Sequence, residues 1–183
     1  QRQKSISIQG FYMDDTEITN NEYRQFVHWV RDSLAHRLLE HFLEGEADPP
    51  FIDWTQKIKW AEPDVSETLS EMFLPENERF YKRKDIDVRK LNFEYYWEDL
   101  KEAAKRSNRE QGLKDRSVFI KKDVINVYPD TLTWIRDFTY SYNDPMTNMY
   151  FWHPAYDEYP VVGVNWRQAR AFSIWRTRLH NDY

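Results

Sequence analysis

The 183-residue chain contains no cysteine. That absence excludes disulfides, thiolate metal sites and thiol nucleophiles from this stretch, and it leaves the compartment open, because reducing and oxidising locations both hold cysteine-free proteins. Glycine is scarce, at 4 residues, and Gly163 belongs to no phosphate-cradling motif. No uninterrupted apolar run approaches the ~18 residues of a membrane-spanning helix, and Gln1-Arg2-Gln3-Lys4 has no apolar core behind it to make a signal peptide. Positive charge is also outweighed: a formal net charge of -5 gives no reason to expect nucleic-acid binding, which would usually show a basic face.

What the chain has in surplus is aromatic rings, with Trp 8, Tyr 12 and Phe 11. Such side chains suit interfaces as well as cores, since Tyr and Trp keep a polar edge on a large apolar body. The length fits one domain with a proper core. The chain opens almost directly into a strand and closes in or just after a helix, so both ends read as cuts through a larger protein.

Periodicity predicts a strand over residues 5–13, in which Ile6 and Ile8 share a face and Phe11 and Met13 continue out of phase across a bulge at Gln9-Gly10. Thr19 and Glu22 form a capping box, Ile18 and Tyr23 a hydrophobic staple. Tyr23, Val27, Val30, Leu34, Leu38 and Phe42 then make one helical stripe that Gly45 can end. A second helix is expected with Asn92 as its cap and Phe93, Tyr96, Trp97, Leu100, Ala103 and Ala104 along one face. Residues 118–120 and 124–128 read as short strands, and the aromatic-dense stretch 131–156 as irregular structure held by stacked rings. Last, Asn165 caps a helix with Gln168 three residues on, its apolar face being Trp166, Ala169, Phe172, Trp175 and Leu179.

Charge is segregated between these elements. Residues 40–78 carry eleven acidic side chains against Lys57 and Lys59, while over 79–90 the bases Arg79, Lys82, Arg83, Lys84, Arg89 and Lys90 outweigh Asp85 and Asp87. One reading is a solvated surface loop. The other is a pair of complementary patches that meet on neighbouring copies or on a partner. Ile52, Ile58 and Val65 follow no period, so the acidic part must lie on something else if it is ordered.

Reactive constellations are weak. His28, His36 and His41 are spaced by eight and five on one expected helix and do not project together as an i,i+4 metal pair would. His153, before Pro154, reads as a packing or capping residue. Asp14-Asp15 and Asp157-Glu158 flank turns, and adjacent carboxylates rarely converge on one substrate.

Two wordings carry a resemblance. Pro160-Val161-Val162-Gly163-Val164-Asn165-Trp166, and Gly10-Phe11-Tyr12-Met13-Asp14-Asp15-Thr16-Glu17-Ile18-Thr19-Asn20-Asn21-Glu22-Tyr23, resemble segments of the formylglycine-generating-enzyme (sulfatase-modifying factor) superfamily. The stretch 128–143, with Met149-Tyr150-Phe151-Trp152-His153-Pro154-Ala155-Tyr156, is similar to the GldK/PorK-type lipoproteins of the type IX secretion (gliding motility) machinery of Bacteroidota.

The resemblance implies an α+β fold of formylglycine-generating-enzyme type, related to C-type lectins, of which only the N-terminal part is present. Residues 1–183 would be one truncated domain and 45–117 a charged, partly helical insertion. It further implies a non-enzymatic subunit with no catalytic, cofactor or metal site. Such a subunit sits at the periplasmic face of the outer membrane on a lipid attached upstream of Gln1, and assembles with itself and a GldN/PorN-type protein into a ring. The residues expected to meet a partner are Arg79, Lys82, Arg83, Lys84, Tyr96 and Trp97. The competing expectation is the superfamily's copper-dependent oxidase, acting on a peptide cysteine through a cysteine pair; Ser173 stands where relatives often carry cysteine. A carbohydrate-binding module drawing on exposed Trp and Tyr is a third.

Overall fold

Helix α1, Asn20–Leu38, is where the sequence signals agree best, and the computed structural model, which describes residues 3–8, 10–45, 50–110, 115–140 and 145–181, builds the domain on it. The capping box closes: Thr19 Oγ1 accepts from Glu22 N at 3.2 Å, and the Glu22 carboxylate accepts from Thr19 N at 2.9 Å. Tyr23, Phe26, Val27 and Val30 are buried on one face.

The helix stops at Leu38, short of the expected Phe42 and Gly45. Glu40 turns left-handed (φ 56), with its N–H bonded to Arg37 O at 3.3 Å and the His41 N–H to His36 O at 3.0 Å. Those two bonds make a Schellman ending, which satisfies carbonyls the helix would otherwise leave orphaned. Phe42 is thereby taken off the stripe and bridges Ile52.

The acidic segment beyond is ordered because it lies on α1. Helix α2, Pro63–Thr68, and the turn Leu69–Met72 bury Leu69 and Met72 against Ala35, with Ile58, Trp60 and Val65 packed around them. This second cluster is the surface that the aperiodic aliphatics need.

Strand β1, Asn92–Glu98, replaces the helix expected after Asn92. It pairs antiparallel with β2, Ile120–Asn126, in a register that sets Phe93 opposite Ile125 and Trp97 opposite Lys121. Phe93, Tyr96 and Trp97 fit a helical period, but Phe93, Tyr95 and Trp97 fit a period of two equally well. Tyr95, which the helical count leaves out, is fully buried. Aromatic residues favour a pleated half-buried surface, and the partner strand with its Val and Ile decides between the periods. The short helices α3, Leu100–Ala103, and α4, Arg106–Glu110, lie between the strands.

The aromatic stretch is less irregular than expected, since it contains α5, Thr133–Asp137, and α6, Pro145–Met149. Trp134 stacks on Phe138, four residues on, with ring centroids 5.5 Å apart. Helix α7, Trp166–Asn181, begins as expected: Gln168 N donates to Asn165 Oδ1 at 3.0 Å and Asn165 N to Gln168 Oε1 at 2.9 Å. Gln168 does more than cap, because its Nε2 donates to Asn126 O at 3.1 Å and Tyr128 O at 2.8 Å, fastening α7 to the end of β2.

The main core lies where α1, the ribbon and α7 meet, around Tyr23, Phe26, Phe93, Tyr95, Phe172 and Trp175. The N-terminal residues expected as a strand have no ladder partner among the described residues, and Ile6, Ile8, Phe11, Tyr12 and Met13 are exposed. Gln9 of the expected bulge lies outside the described residues. The mixture of helices with a small antiparallel sheet is an α+β arrangement. Among the described residues no helix is long and apolar enough to cross a membrane.

Candidate interaction surface

The basic segment folds back over the acidic one within a single chain, and this separates the four bases expected to meet a partner. Arg79 Nε donates to Leu74 O at 2.7 Å. Lys84 bonds Ser66 through its backbone carbonyl, at 3.0 Å, and its hydroxyl, while its ammonium sits 4.6 Å from the Phe73 ring centroid. Both are spent on holding the segment together. Lys82 and Arg83 are exposed and have no ion-pair partner among the described residues.

Lys82 and Arg83 stand at a strained tip. Tyr81 (φ 44) and Lys82 (φ 57) are consecutive left-handed residues, a conformation that costs roughly 1–2 kcal/mol per residue for side chains of this kind. Phe80 and Tyr81 sit edge to face, 4.4 Å apart, and are 71% and 84% exposed. Two rings and two free cations thus project together. Phe80-Tyr81 adjoins Lys82-Arg83-Lys84 in the sequence, but the segment follows no period, so only the fold shows that these rings stay outside.

On the ribbon, adjacent residues must face opposite ways, so Tyr96 and Trp97 cannot act as one surface. Tyr96 is half exposed beside Glu94 and Lys122, which pair at 2.7 Å. Trp97 turns inward, with the Arg170 guanidinium 4.1 Å from its ring centroid; Arg170 is also 5.5 Å from Trp166. The expected pair divides into an outward Tyr96 and a Trp97 that helps seat α7.

Opposite charge is available on the same molecule. Glu40, Glu44, Asp64, Glu67 and Glu76 are exposed and have no ion-pair partner among the described residues. By contrast Glu78 is paired with Arg89 at 2.8 Å, and Glu62 with Lys59 at 2.9 Å.

The histidines depart from expectation because α1 ends early. The turn at Glu40 brings His41 back to His36, with Nδ1 to Nδ1 3.0 Å, and Trp54 covers His36 edge-on at 5.2 Å. Only one proton can be shared across that contact. Burial, and then His41 beside it, hold His36 below its usual 6.5; burial, and then Arg31, do the same for His28. The folded state therefore resists protons that the unfolded chain takes up near pH 6.5, so this stability is present above that pH and is lost as the pH falls below it. A thermal midpoint measured at pH 5.5 is expected to lie below that at pH 8, with the difference reduced in His36→Gln; a midpoint that rises on acidification would contradict the assignment.

His153 caps, as expected, its Nδ1 accepting from Ala155 N at 3.1 Å. Asp157 is drawn to Arg24, whose other terminal nitrogen donates to Phe151 O at 2.8 Å. Asp14 pairs with Arg176 at 2.8 Å. Each of these three has a structural partner in the domain.

Copper of the superfamily's oxidases would need thiolates, and residues 1–183 contain none. Ser173, the position compared with cysteine, is exposed and donates to Ala169 O at 3.0 Å within its own helix. Among the described residues no group of three or more His, Asp or Glu side chains could hold a metal ion. The residues present do not fit the copper group.

No curated protein matches the chain, and no solved structure does. The family model of the sulfatase-modifying factor enzyme 1-like domain matches residues 1–182. The capped α1, the buried aromatic core and the Pro160–Trp166 joint thus belong to one known type of domain: the chain is a member of the sulfatase-modifying factor enzyme 1-like (formylglycine-generating-enzyme) family.

Proposed function

We propose that this domain serves as a structural subunit without a reactive group of its own, of the GldK/PorK type, in the periplasmic ring of the type IX secretion machinery. In that role it assembles with further copies and with a GldN/PorN-type partner beneath the outer membrane. A lipid attached upstream of Gln1 anchors it there, each buried methylene contributing ~0.8 kcal/mol. The family hosts enzymes and non-enzymes, so membership alone does not decide between them. The wording of residues 128–156 supports the ring reading over the oxidase.

The observation that carries the reading is the tip at Phe80, Tyr81, Lys82 and Arg83. Strained backbone, exposed rings and unpaired cations at one place are what a contact with an acidic neighbour uses, and exposed carboxylates such as Asp64 and Glu67 offer that neighbour's chemistry. Charge reversal of the two free bases, Lys82→Glu with Arg83→Glu, is expected to slow and weaken assembly at low salt. Arg79→Gln should act through stability of the segment instead. Mass photometry of the co-expressed complex reads the difference; full assembly of the double variant at low salt would remove the tip from the interface.

A further inference from the structure

A second feature lies apart from the tip. Where the insertion crosses α1, an open cleft of about 530 Å³ is left between the helix, the segment 84–91 and the Tyr128–Trp152 pair. That volume suits a bound side chain or short peptide. Its lining is largely apolar, with Val27, Phe73, Ile86, Val88, Leu91 and Trp152.

The polar groups at its edge are mostly donors with capacity to spare. Arg31 uses Nε on Asp32 at 2.7 Å and lies 5.3 Å from the Trp60 ring, leaving both terminal nitrogens without a partner among the described residues. Tyr128 receives the Trp152 indole N–H at 2.7 Å, so its own hydroxyl hydrogen remains to be given. His28 stacks on Trp152, centroids 5.9 Å apart, and has no hydrogen-bond partner among the described residues. Lys84, already bonded to Ser66, and Asp85 complete the rim.

The unused donors of Arg31 and Tyr128 and the apolar lining define an occupant that brings acceptors next to apolar bulk, and the guanidinium favours a charged acceptor. We infer that the cleft is a seat for an acidic, apolar-flanked peptide segment of a partner protein, its carboxylate held by Arg31 and the Tyr128 hydroxyl and its neighbouring apolar side chain laid between Phe73 and Trp152. The cleft is open to solvent, which lets a chain run across it. This inference stands on the cleft's own chemistry and survives if the ring reading fails.

The probe is the pentapeptide Leu-Asp-Phe-Asp-Leu, acetylated and amidated, titrated into the full chain while the Trp152 indole N–H resonance is followed. The Asn-for-Asp peptide and decanoate serve as comparisons. Saturable binding is expected for the acidic peptide, about tenfold weaker for the Asn peptide and about tenfold weaker in Arg31→Gln, since a hydrogen bond to a charged group contributes on that scale. Raised salt should weaken binding of the acidic peptide and leave that of the uncharged Asn peptide nearly unchanged. No binding at millimolar peptide, equal affinity for the Asp and Asn peptides, or tighter binding of decanoate than of the peptide would each overturn the inference. The last of these would make the cleft a site for small amphiphiles.

Discussion

Gly163→Ala is expected to destabilise the domain by ~3–5 kcal/mol, a large fraction of what a domain of this size has to lose. Gly163 is left-handed (φ +76), and a Cβ built there would lie 2.1 Å from Asp130 O and 2.8 Å from Asp130 C. Those are backbone atoms, which cannot rotate aside as a side-chain tip would. Moving them would also break the bond from Asp130 N to Gly163 O, at 2.8 Å, which ties the joint before α7 to the turn after β2. Urea unfolding of the variant beside the parent chain measures the loss. A change below ~1 kcal/mol would mean that the joint is not held as described.

Phe26→Ala is expected to cost about as much, ~3–5 kcal/mol, through the cavity it leaves. Phe26 is fully buried, with ring centroids of Phe93, Trp175, Phe172 and Tyr23 at 5.2, 5.1, 5.8 and 5.9 Å. Its ring touches β1, α7 and Tyr23 of the α1 stripe together, so its removal weakens all three junctions. Tyr96→Ala, on the outward face of the same ribbon, is the control and should stay within ~0.5 kcal/mol. If both variants lost similar stability, the partition of the ribbon into an inner and an outer face would be wrong.

Capping chemistry was the most legible part of the sequence. Thr19 with Glu22, and Asn165 with Gln168, bond as their spacing predicts, because a capping box is decided within four residues. The ribbon was not legible, since Asn92–Glu98 satisfies two periods and the choice rests on β2, more than twenty residues away. The end of α1 was misplaced for a related reason: a Schellman ending usually advertises itself with glycine, and here Glu40 adopts the left-handed turn. That one turn also produces the His36–His41 contact, which no spacing on a continuous helix foretells.

The candidate surface was legible in charge and not in geometry. The reversal of sign at Arg79 is plain in the sequence, but which bases remain free depends on the fold of the segment over α2. Arg79 and Lys84 turn inward to Leu74 and Ser66, while Lys82 and Arg83 stay out beside Phe80 and Tyr81. The bond from Lys84 to a carbonyl eighteen residues away has no local signature. The cleft beside Trp152 was likewise invisible, being formed by three separate parts of the chain.

If, as proposed, this chain grips neighbours and carries no reactive group, one sample decides it: the full-length protein co-purified with a candidate GldN/PorN-type protein, its particle mass recorded by mass photometry and its oxidation of a cysteine-containing peptide assayed. The account predicts large complexes that lose mass when Lys82 and Arg83 are reversed in charge, and no turnover of the peptide. A protein that remains monomeric beside the partner and converts the cysteine to an aldehyde would contradict it.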